Sequence, residues 1–445
     1  MKQSVSAIFI CGEKVLFMKR QNYLRAFPGY TSFPGGKVDK EDISEGGDNY
    51  LEYALKREIK EELNIDLDDL QVSGHIIDIA KYSLAVTPDF NPHRFENYYF
   101  KIFIKDEAHL DDIKFEFDQG EIAYTKWFNC HEAFESYKQG QMLVVPPMIT
   151  ILEDLDRDIA SLDFLDANLK YDSKKCVPMI EPLFGLRQYM PLSNTFPPAN
   201  RTNCFVLGDD GHKKIIIDPS PKNSDEYEKL LNSIGEHDIS EVFLTHHHPD
   251  HHEYSRRLAK ELGISFSMSK GTYDHLLEDF DKDYFNEFDV KFYQDGDIVV
   301  KSCGVDVKLI TTGGHAFGQS SLYRVDGAWM IVSDLIQTVG TVTIGGKGSC
   351  MREYFQSLQN VIDIDPQVIM PSHGICLGGT LKIKKTLEHR LEREEQVRKC
   401  VSEGKEIEEI FNEIYPDLPE RLKSYAMATI TSHLKKLRDF GPGIC

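Results

Sequence analysis

Short runs of hydrophobic residues alternate with polar segments along the first 150 residues, and one longer stretch has helical spacing. The apolar runs 5–10 and 98–104 are short and predict strands. The stretch Tyr50–Leu63 places an apolar residue at every fourth position, which predicts an amphipathic helix. The repeated positions are Leu51, Leu55, Ile59 and Leu63. This pattern predicts an α/β domain at the amino-terminal end.

In the middle of the chain, a dense group of metal-ligand residues separates two further predicted elements. The run 241–245 predicts a buried strand, and 252–262 predicts a helix. Between them, residues 246–251 hold four metal ligands of two kinds, imidazole and carboxylate. We expect the turn to aim two ligands at each of two neighbouring ions: His246 and His248, then Asp250 and His251.

Three later residues complete this predicted site, and each lies in a turn marked by glycine or serine. They are His315, Asp334 and His373, and the last two follow apolar runs that predict strands. The seven ligands divide into a set for each ion, with Asp334 between them. The first set is His246, His248 and His315, and the second is Asp250, His251 and His373.

This order of ligands resembles the metallo-β-lactamase superfamily, over roughly residues 175–385. The resemblance implies an αββα sandwich, two zinc ions and hydrolytic chemistry in which Asp250 orients the attacking water. It also implies that Asp218 supports the ligands without binding metal. The alternative is adventitious metal binding by surface histidines, which does not explain ligands that recur at strand ends.

Composition limits the classes of partner. A chain of 445 residues with 41% hydrophobic content can form two or three cores. The net charge of -21 argues against tight non-specific binding of duplex nucleic acid. Nine scattered cysteines without a Cys-x-x-Cys pair favour a reducing compartment, and we expect the cytoplasm. No apolar run approaches the roughly 20 residues of a membrane span, so no membrane partner is expected.

The predicted helix Tyr50–Leu63 carries a second candidate site. Glu58, Glu61 and Glu62 share one helical face, where three like charges repel unless a cation neutralises them. Magnesium or manganese would do so, because hard ions prefer oxygen ligands. Upstream, the glycine turn 33–37 could bring backbone amides to phosphate oxygens.

These residues resemble the Nudix hydrolases, whose motif joins a glycine, here Gly36, to an Arg-Glu-x-x-Glu-Glu segment beginning at Arg57. The resemblance implies an α/β/α sandwich that hydrolyses nucleoside diphosphate derivatives. In it, Glu58 and Glu61 are catalytic, all three glutamates bind metal, Arg57 braces the helix and Glu121 supplies a further acid.

The sequence departs from the Nudix pattern in three places. Gly36 and Arg57 are 21 positions apart, which is about 7 more than the family motif places there. Asn49 stands where the family has a glutamate, and Asn64 replaces a glycine that ends the helix. Asparagine also adopts the left-handed conformation, so a helix end at Asn64 is acceptable. Two other interpretations stay open: a domain that binds a nucleotide without cleaving it, and a solvated acidic helix face.

From residue 386 onward the pattern predicts helices, at 387–401, 407–414 and 422–437. This segment resembles the small winged-helix-like tail of lactamase-β-like RNA-cleaving proteins. The alternative is a helical cap that only covers apolar surface. The complete prediction is a multidomain chain of α/β and α+β class: a Nudix-like domain (1–155), a linker (156–178), a metallo-β-lactamase-like domain (179–385) and the tail (386–445).

Two chemistries fit the predicted zinc site. Cleavage of phosphodiesters in single-stranded RNA is favoured by the tail, which would extend the cleft for a polymer. Thioester hydrolysis, as in the hydroxyacylglutathione hydrolases, uses much the same ligands and suits an acidic protein. In that alternative, the Nudix-like domain would bind a nucleotide without catalysis.

Overall fold

The computed structural model describes residues 1–91, 94–107, 120–235 and 237–443. It divides into two compact units: Met1–Asp172 with Ile180–Phe184, and Ser173–Met179 with Gly185–Cys445. The strands are β1 (Lys2–Cys11), β2 (Lys14–Arg20), β3 (Thr31–Ser32), β4 (Ile76–Val86), β5 (Phe95–Ile104), β6 (Ile122–Asn129), β7 (Leu165–Asp166), β8 (Met179–Leu183), β9 (Leu186–Tyr189), β10 (Cys204–Leu207), β11 (Lys214–Ile217), β12 (Ile239–Leu244), β13 (Ser265–Met268), β14 (Val290–Phe292), β15 (Ile298–Ser302), β16 (Val305–Thr311), β17 (Ser320–Arg324), β18 (Met330–Ser333), β19 (Val368–Pro371) and β20 (Leu377–Gly378). The helices are α1 (Lys40–Gly46), α2 (Tyr50–Leu63), α3 (Leu67–Val72), α4 (Cys130–Lys138), α5 (Pro146–Arg157), α6 (Ser224–Ile234), α7 (Pro249–His252), α8 (Ser255–Leu262), α9 (Lys270–Asp279), α10 (Met351–Ile364), α11 (Leu381–Ser402), α12 (Ile407–Ile414) and α13 (Lys423–Phe440).

The first unit is a sheet covered by helices on both faces. Its strand order is β3-β2-β1-β5-β4-β7, with β6 paired to β2. Alternate residues of β1 enter two different cores: Val5, Ala7 and Phe9 pack with α2, whereas Ile8 and Ile10 pack with α4 and α5. This period of two confirms the predicted α/β/α sandwich.

Helix α2 begins and ends where its apolar spacing predicts. Its buried residues include Leu55, Ile59 and Leu63, which lie on the face that packs against β1. The helix ends at Asn64, which is left-handed at φ 55° and donates its backbone N–H to the Lys60 carbonyl at 3.1 Å. Asn64 therefore performs the role that glycine has in the family motif.

The boundary of the first unit lies beyond the predicted position. The segment 156–178 was expected to be a linker, yet β7 falls within it and pairs in parallel with β4, with Ser83 opposite Leu165. Helix α5 ends at Arg157, and the unit continues to Asp172. The pairing of so short a strand depends on its partner and has no local sequence signal.

The second unit contains two sheets between layers of helices. Within this unit, one sheet has the order β14-β13-β12-β11-β10-β9 and the other β15-β16-β17-β18-β19-β20. Helices α6, α8 and α9 share a core with the first sheet, and α10 and α11 share a core with the second. In β10 and β12, the residues on either side of Phe205 and Phe243 face that first core, and both phenylalanines are also buried. The predicted αββα sandwich is confirmed.

The carboxy-terminal segment is helical, as predicted. Helix α11 starts at Leu381, five residues before the expected boundary at 386, and its residues Ile383 and Leu387 lie in the core of the second sheet. Helices α11, α12 and α13 share a small core of their own. No helix in the described ranges combines the length and the apolar character needed to cross a bilayer.

Candidate active site and metal centres

The predicted zinc ligands lie in turns that follow strands of the two sheets. His246 and His248 follow β12, and α7 then carries Asp250 and His251. The helix predicted over 252–262 is divided, because Tyr254 adopts φ 64° between α7 and α8. The short first helix is therefore an independent element that holds Asp250 and His251 beside the turn.

The first three ligands form a compact group of imidazole nitrogens. Nδ1 of His248 lies 3.0 Å from Nε2 of His246 and 3.0 Å from Nε2 of His315. Two nitrogens bound tetrahedrally to one zinc ion at about 2.05 Å would be about 3.3 Å apart. The observed spacing fits one zinc ion with a small outward adjustment of the rings.

The remaining ligands form a second group that shares Asp334 with the first. Nε2 of His373 lies 3.5 Å from Asp250 and 3.4 Å from Asp334. Asp334 Oδ2 is 3.6 Å from Nε2 of both His251 and His315, so this carboxylate lies between the groups. Among the described residues, the buried atoms His251 Nε2 and Asp334 Oδ1 have no hydrogen-bond partner. These orphaned atoms fit a bound cation.

The outward nitrogens of three histidines are held by acceptors, which sets the ring tautomers. Nδ1 of His251 donates to Asp218 at 2.9 Å, Nδ1 of His315 to the Thr343 carbonyl at 3.0 Å, and Nδ1 of His373 to the Arg201 carbonyl at 2.9 Å. Because a carbonyl can only accept, the Nδ1 atoms facing carbonyls carry the proton. Each Nε2 is then the ring nitrogen that faces the centre and can bind an ion.

Asp218 lies behind the ligands. Besides His251, its carboxylate accepts hydrogen bonds from the backbone N–H of Thr245 at 2.8 Å and from the Thr245 hydroxyl at 2.6 Å. It has left-handed backbone geometry at φ 48° and is 1% exposed. This position matches the supporting role expected from the sequence.

Electrostatics differ between the two groups. Burial lowers the pKa of His246 well below its usual range and that of His248 to about 2, and neighbouring imidazoles add to the effect. Burial also disfavours a charged His251, but Asp250 and Asp334 outweigh it and raise its pKa well above the usual range. At neutral pH the first group is therefore in its neutral, ligating form, and the second attracts a cation.

Residues of the tail support the loop that holds His315, and the sequence did not reveal them. Arg390 in α11 donates to the Val342 carbonyl at 2.5 Å, next to the Thr343 carbonyl that accepts from His315. A Cβ added to Gly345 would lie 2.5 Å from the Cβ of Ala428 in α13. Arg390 is 4% exposed, but a single arginine in a charged helix gives no pattern that could identify it.

A third group of ligand-type residues lies next to the centre and was also missed. His247, His275 and Asp279 bring one ligand atom each within 4.8 Å of one another. The spacing of His275 and Asp279, four residues apart on α9, is the one local signal available.

In the first unit, the glycine turn meets helix α2 as predicted. A Cβ on Gly36 would lie 2.1 Å from a carboxylate oxygen of Glu58, so only glycine permits this approach. Glu62 is 9% exposed and accepts the backbone N–H of Gly35 at 2.7 Å. Burial, with a smaller contribution from the charges of Glu58 and Glu121, raises the pKa of Glu62 to about 8 against the lowering effect of that hydrogen bond.

The three predicted magnesium ligands do not converge as the predicted zinc ligands do. Among the described residues, Glu58, Glu61 and Glu62 do not form a group within 4.8 Å. Arg57 instead lies 3.0 Å from both Glu58 and Glu61, and the Glu61 side chain is 60% exposed. The repulsion that we assigned to a metal ion is relieved by this guanidinium.

The inserted segment before α2 explains how Arg57 is held. It forms helix α1, whose Asp42 is fully buried and accepts two hydrogen bonds from the Arg57 guanidinium, each 2.8 Å long. The pKa of Asp42 is lowered, mainly by this hydrogen bonding with Arg57. Asn49, at the position of the family's glutamate, is exposed at the start of α2. The brace expected of Arg57 therefore comes from the insertion.

Comparison with known proteins identifies both domains. The two folds and the ligand groups define a metal-dependent hydrolase. Residues 1–145 match the NUDIX domain model, and residues 197–373 match the metallo-beta-lactamase superfamily model. The chain therefore carries a NUDIX domain followed by a metallo-β-lactamase superfamily domain.

Three similar proteins illustrate the relationship. The "Beta-lactamase-like protein 2 homolog" of Caenorhabditis elegans is 29% identical over 247 residues, which are 53% of this chain and 78% of the relative. That of Drosophila melanogaster is 25% identical over 260 residues, 54% of this chain and 83% of the relative. A crystal structure of a beta-lactamase domain protein from Burkholderia ambifaria has a TM-score of 0.51 at 18% identity, covering 60% of this chain and 89% of its own. That last likeness shows the fold alone.

Proposed function

We propose that the metallo-β-lactamase domain is a hydrolase that holds two zinc ions and cleaves phosphodiesters in single-stranded RNA. The first ion would be bound by His246, His248 and His315, and the second by Asp250, His251 and His373, with Asp334 between them. The observation that carries the proposal is the convergence of seven buried or half-buried ligands, three of which are histidines whose outward nitrogens are already engaged. When bound, such an ion pair lowers the pKa of a shared water toward neutrality and stabilises a developing oxyanion.

The surrounding residues orient the reacting groups. One carboxylate oxygen of Asp250 faces His251 and the other faces His373. We assign this carboxylate the role of orienting the attacking water. Thr202 fixes the backbone of Asp250 by donating its hydroxyl to the Asp250 carbonyl at 2.9 Å. Asp218 keeps the His251 ring in place.

An exposed phenylalanine that packs on a half-buried tyrosine supports a nucleic acid substrate. Phe196 is 68% exposed, and its ring meets that of Tyr425 in α13 with centroids 5.2 Å apart. Phe196 precedes Arg201 and Thr202 on the loop that contacts the ligands His373 and Asp250. Exposed aromatic side chains stack on unpaired bases, and each such contact contributes roughly 1–3 kcal/mol.

The alternative is hydrolysis of a thioester of the hydroxyacylglutathione type. It needs no more than the same ligand set, and the net charge of -21 favours a small substrate over a polyanion. Phe196 and Tyr425 separate the two proposals, because a small thioester has no unpaired bases to stack on these rings.

The experiment compares both substrates on the full chain. Metal-dependent fragments of a labelled single-stranded RNA, lost with a chelator and in His248→Ala but kept in the exposed control His212→Ala, would support the proposal. Phe196→Ala should raise KM for RNA about tenfold without changing thioester turnover, whereas Phe164→Ala, a similarly exposed ring, should change neither. Intact RNA beside rapid thioester hydrolysis would establish the alternative.

We infer that the NUDIX domain hydrolyses a nucleoside diphosphate derivative with magnesium or manganese. Glu58 beside the Gly35–Gly36 turn, together with Glu61 and Glu62, would supply the oxygen ligands, and Glu58 and Glu61 would act in catalysis. The alternative is a domain that binds such a nucleotide without cleaving it, and the pairing of both Glu58 and Glu61 with Arg57 favours it.

A panel of nucleoside diphosphate derivatives with magnesium separates these two readings of the NUDIX domain. Turnover that disappears in Glu61→Gln would establish an enzyme and support the metal assignment. Saturable binding without turnover would establish a binding domain. Unchanged turnover in Glu61→Gln would refute the role given to Glu61.

The scattered, odd number of cysteines leads us to propose the cytoplasm as the compartment.

A further inference from the structure

The group formed by His247, His275 and Asp279 lies beside the proposed zinc centre but uses none of its ligands. The rings of His247 and His275 stack with centroids 4.8 Å apart and planes 24° apart. Nε2 of His247 lies 3.7 Å from Asp279 Oδ2. Two separate elements, the turn after β12 and helix α9, therefore place two imidazoles and a carboxylate together.

Both histidines carry a buried nitrogen without a hydrogen bond. His247 is 5% exposed, and within the described ranges the Nδ1 atoms of His247 and His275 have no hydrogen-bond partner. Buried polar atoms are nearly always satisfied, so two such atoms in one small group need an explanation. Two imidazoles and one carboxylate are a common ligand set for zinc and other first-row divalent ions.

We propose that His247, His275 and Asp279 form a third metal site, which takes zinc or a similar divalent transition-metal ion. Gly348 lies against both rings, where an added Cβ would lie 3.5 Å from Cε1 of His247 and 3.7 Å from His275. An anion is a poorer occupant of this site, because the carboxylates of Asp279 and Glu278 would repel it.

The third site binds metal more weakly than the central pair. Nε2 of His247 lies 3.7 Å from Oδ2 of Asp279, compared with 3.0 Å between the nitrogens of His246 and His248 in the centre, so binding requires side chains to move inward. Asp279 can move, because it ends α9 and its side chain is 25% exposed. Lys347 already donates to the other oxygen of Asp279 at 2.5 Å, and its positive charge opposes an incoming cation.

This site is tested by titrating zinc into the metal-depleted full chain in competition with a chromophoric chelator. Excess magnesium is present to occupy sites made of oxygen ligands only. We expect two tight equivalents from the centre and a third that is at least tenfold weaker. His275→Gln should remove the weak equivalent and leave the tight pair, and the surface control His389→Gln should leave all three. A His275→Gln protein that binds zinc as the wild type does would overturn the proposal.

A second pair of variants guards against a folding defect in His275→Gln. Asp279→Asn removes a proposed ligand at an exposed helix end and should also remove the weak equivalent. Glu278→Gln is the control for loss of a neighbouring carboxylate, because Glu278 contacts the same Lys347 at 3.3 Å and lies 3.8 Å from Nδ1 of His275, but belongs to none of the ligand groups among the described residues. Loss of the weak equivalent in Glu278→Gln as in Asp279→Asn would show that the acidic charge around Lys347, and not ligation by Asp279, holds the ion, and would overturn the assignment of Asp279.

Crystals of the full chain measured at the zinc absorption edge locate the ions directly. A third anomalous peak bounded by His247, His275 and Asp279 is expected. Two peaks in the centre and none here, at zinc concentrations that fill the weak equivalent, would refute the third site while supporting the proposed hydrolase. A peak at His247, His275 and Asp279 without peaks in the centre would support the third site and refute the two-zinc centre of the proposed hydrolase.

Discussion

Replacement of Arg390 by alanine should weaken zinc binding at His315, although Arg390 belongs to the carboxy-terminal tail. Its guanidinium donates to the Val342 carbonyl, and the following carbonyl, of Thr343, accepts the Nδ1 proton of His315. Arg390→Ala leaves the Val342 carbonyl without this donor and allows the loop to shift. The His315 ring would then lose the acceptor that fixes its tautomer and direction.

The magnitude follows from this geometry. A buried carbonyl that loses its donor costs about 1–3 kcal/mol, and about 1.4 kcal/mol corresponds to a tenfold change in affinity. Changes to residues that directly support a ligand reduce metal affinity roughly 10–100-fold. Arg390 acts one peptide unit further away, and Ala428 continues to pack against Gly345 of the same loop. We therefore expect a loss near the lower limit, about tenfold.

The assay is competition for zinc between the protein and a chromophoric chelator, combined with thermal unfolding. Arg393→Ala is the matched control, because Arg393 lies on the same helix but donates within the tail, to the Ile414 carbonyl at 3.3 Å. Both variants should lower the melting temperature, but only Arg390→Ala should weaken zinc binding. Equal zinc affinity in Arg390→Ala and wild type would refute the reasoning and leave the tail as a cap over apolar surface.

Three other predictions concern stability. Asp42→Asn should lower the free energy of unfolding of the NUDIX domain, measured in urea, by about 3 kcal/mol, because it breaks a buried ion pair with Arg57. The control Asp39→Asn should lower it by under about 1 kcal/mol, because the Asp39 carboxylate is 63% exposed and 3.9 Å from the same guanidinium. Glu62 holds its proton more tightly when folded than when unfolded, so its stabilising contribution is complete below the ordinary pKa of 4.5 and is lost as pH rises through about 8. Glu62→Gln should therefore unfold at a higher temperature than wild type above pH 8 and at the same temperature near pH 4, and a constant difference across this range would contradict the assignment. Chelation of zinc should lower the melting temperature of the metallo-β-lactamase domain in a zinc-reversible manner, because buried ligands lose their shared cation; a melting curve indifferent to chelator would exclude a resident ion.

The elements that sequence predicted best are those encoded by close neighbours. Helix α2 has its predicted bounds because four apolar residues at a spacing of four can be buried together only on a helix. Strand β1 and the left-handed Asn64 follow from equally local rules. The turn between 246 and 251 is also local, since its ligands occupy six consecutive positions.

Residues brought together from distant segments were predictable only where a resemblance supplied the pattern. His315, Asp334 and His373 were identified as members of an ordered ligand set, and their separation in the chain contains no distance information. Arg390, His275 and Asp42 had no such pattern, and only the structure brought them to their partners.

The amino-acid sequence by itself determined single elements such as α2 and, through the family resemblances of its motifs, the two-domain plan, the class of each sandwich and the order of the proposed zinc ligands, because hydrophobic periodicity and ligand type are properties of each segment alone. Tertiary structure decided which charges meet. The guanidinium of Arg57 relieves the repulsion between Glu58 and Glu61, for which a metal ion had been expected, because an inserted helix brings the buried Asp42 against it. Electrostatic energy depends on separation and burial, and neither quantity exists until the chain has folded.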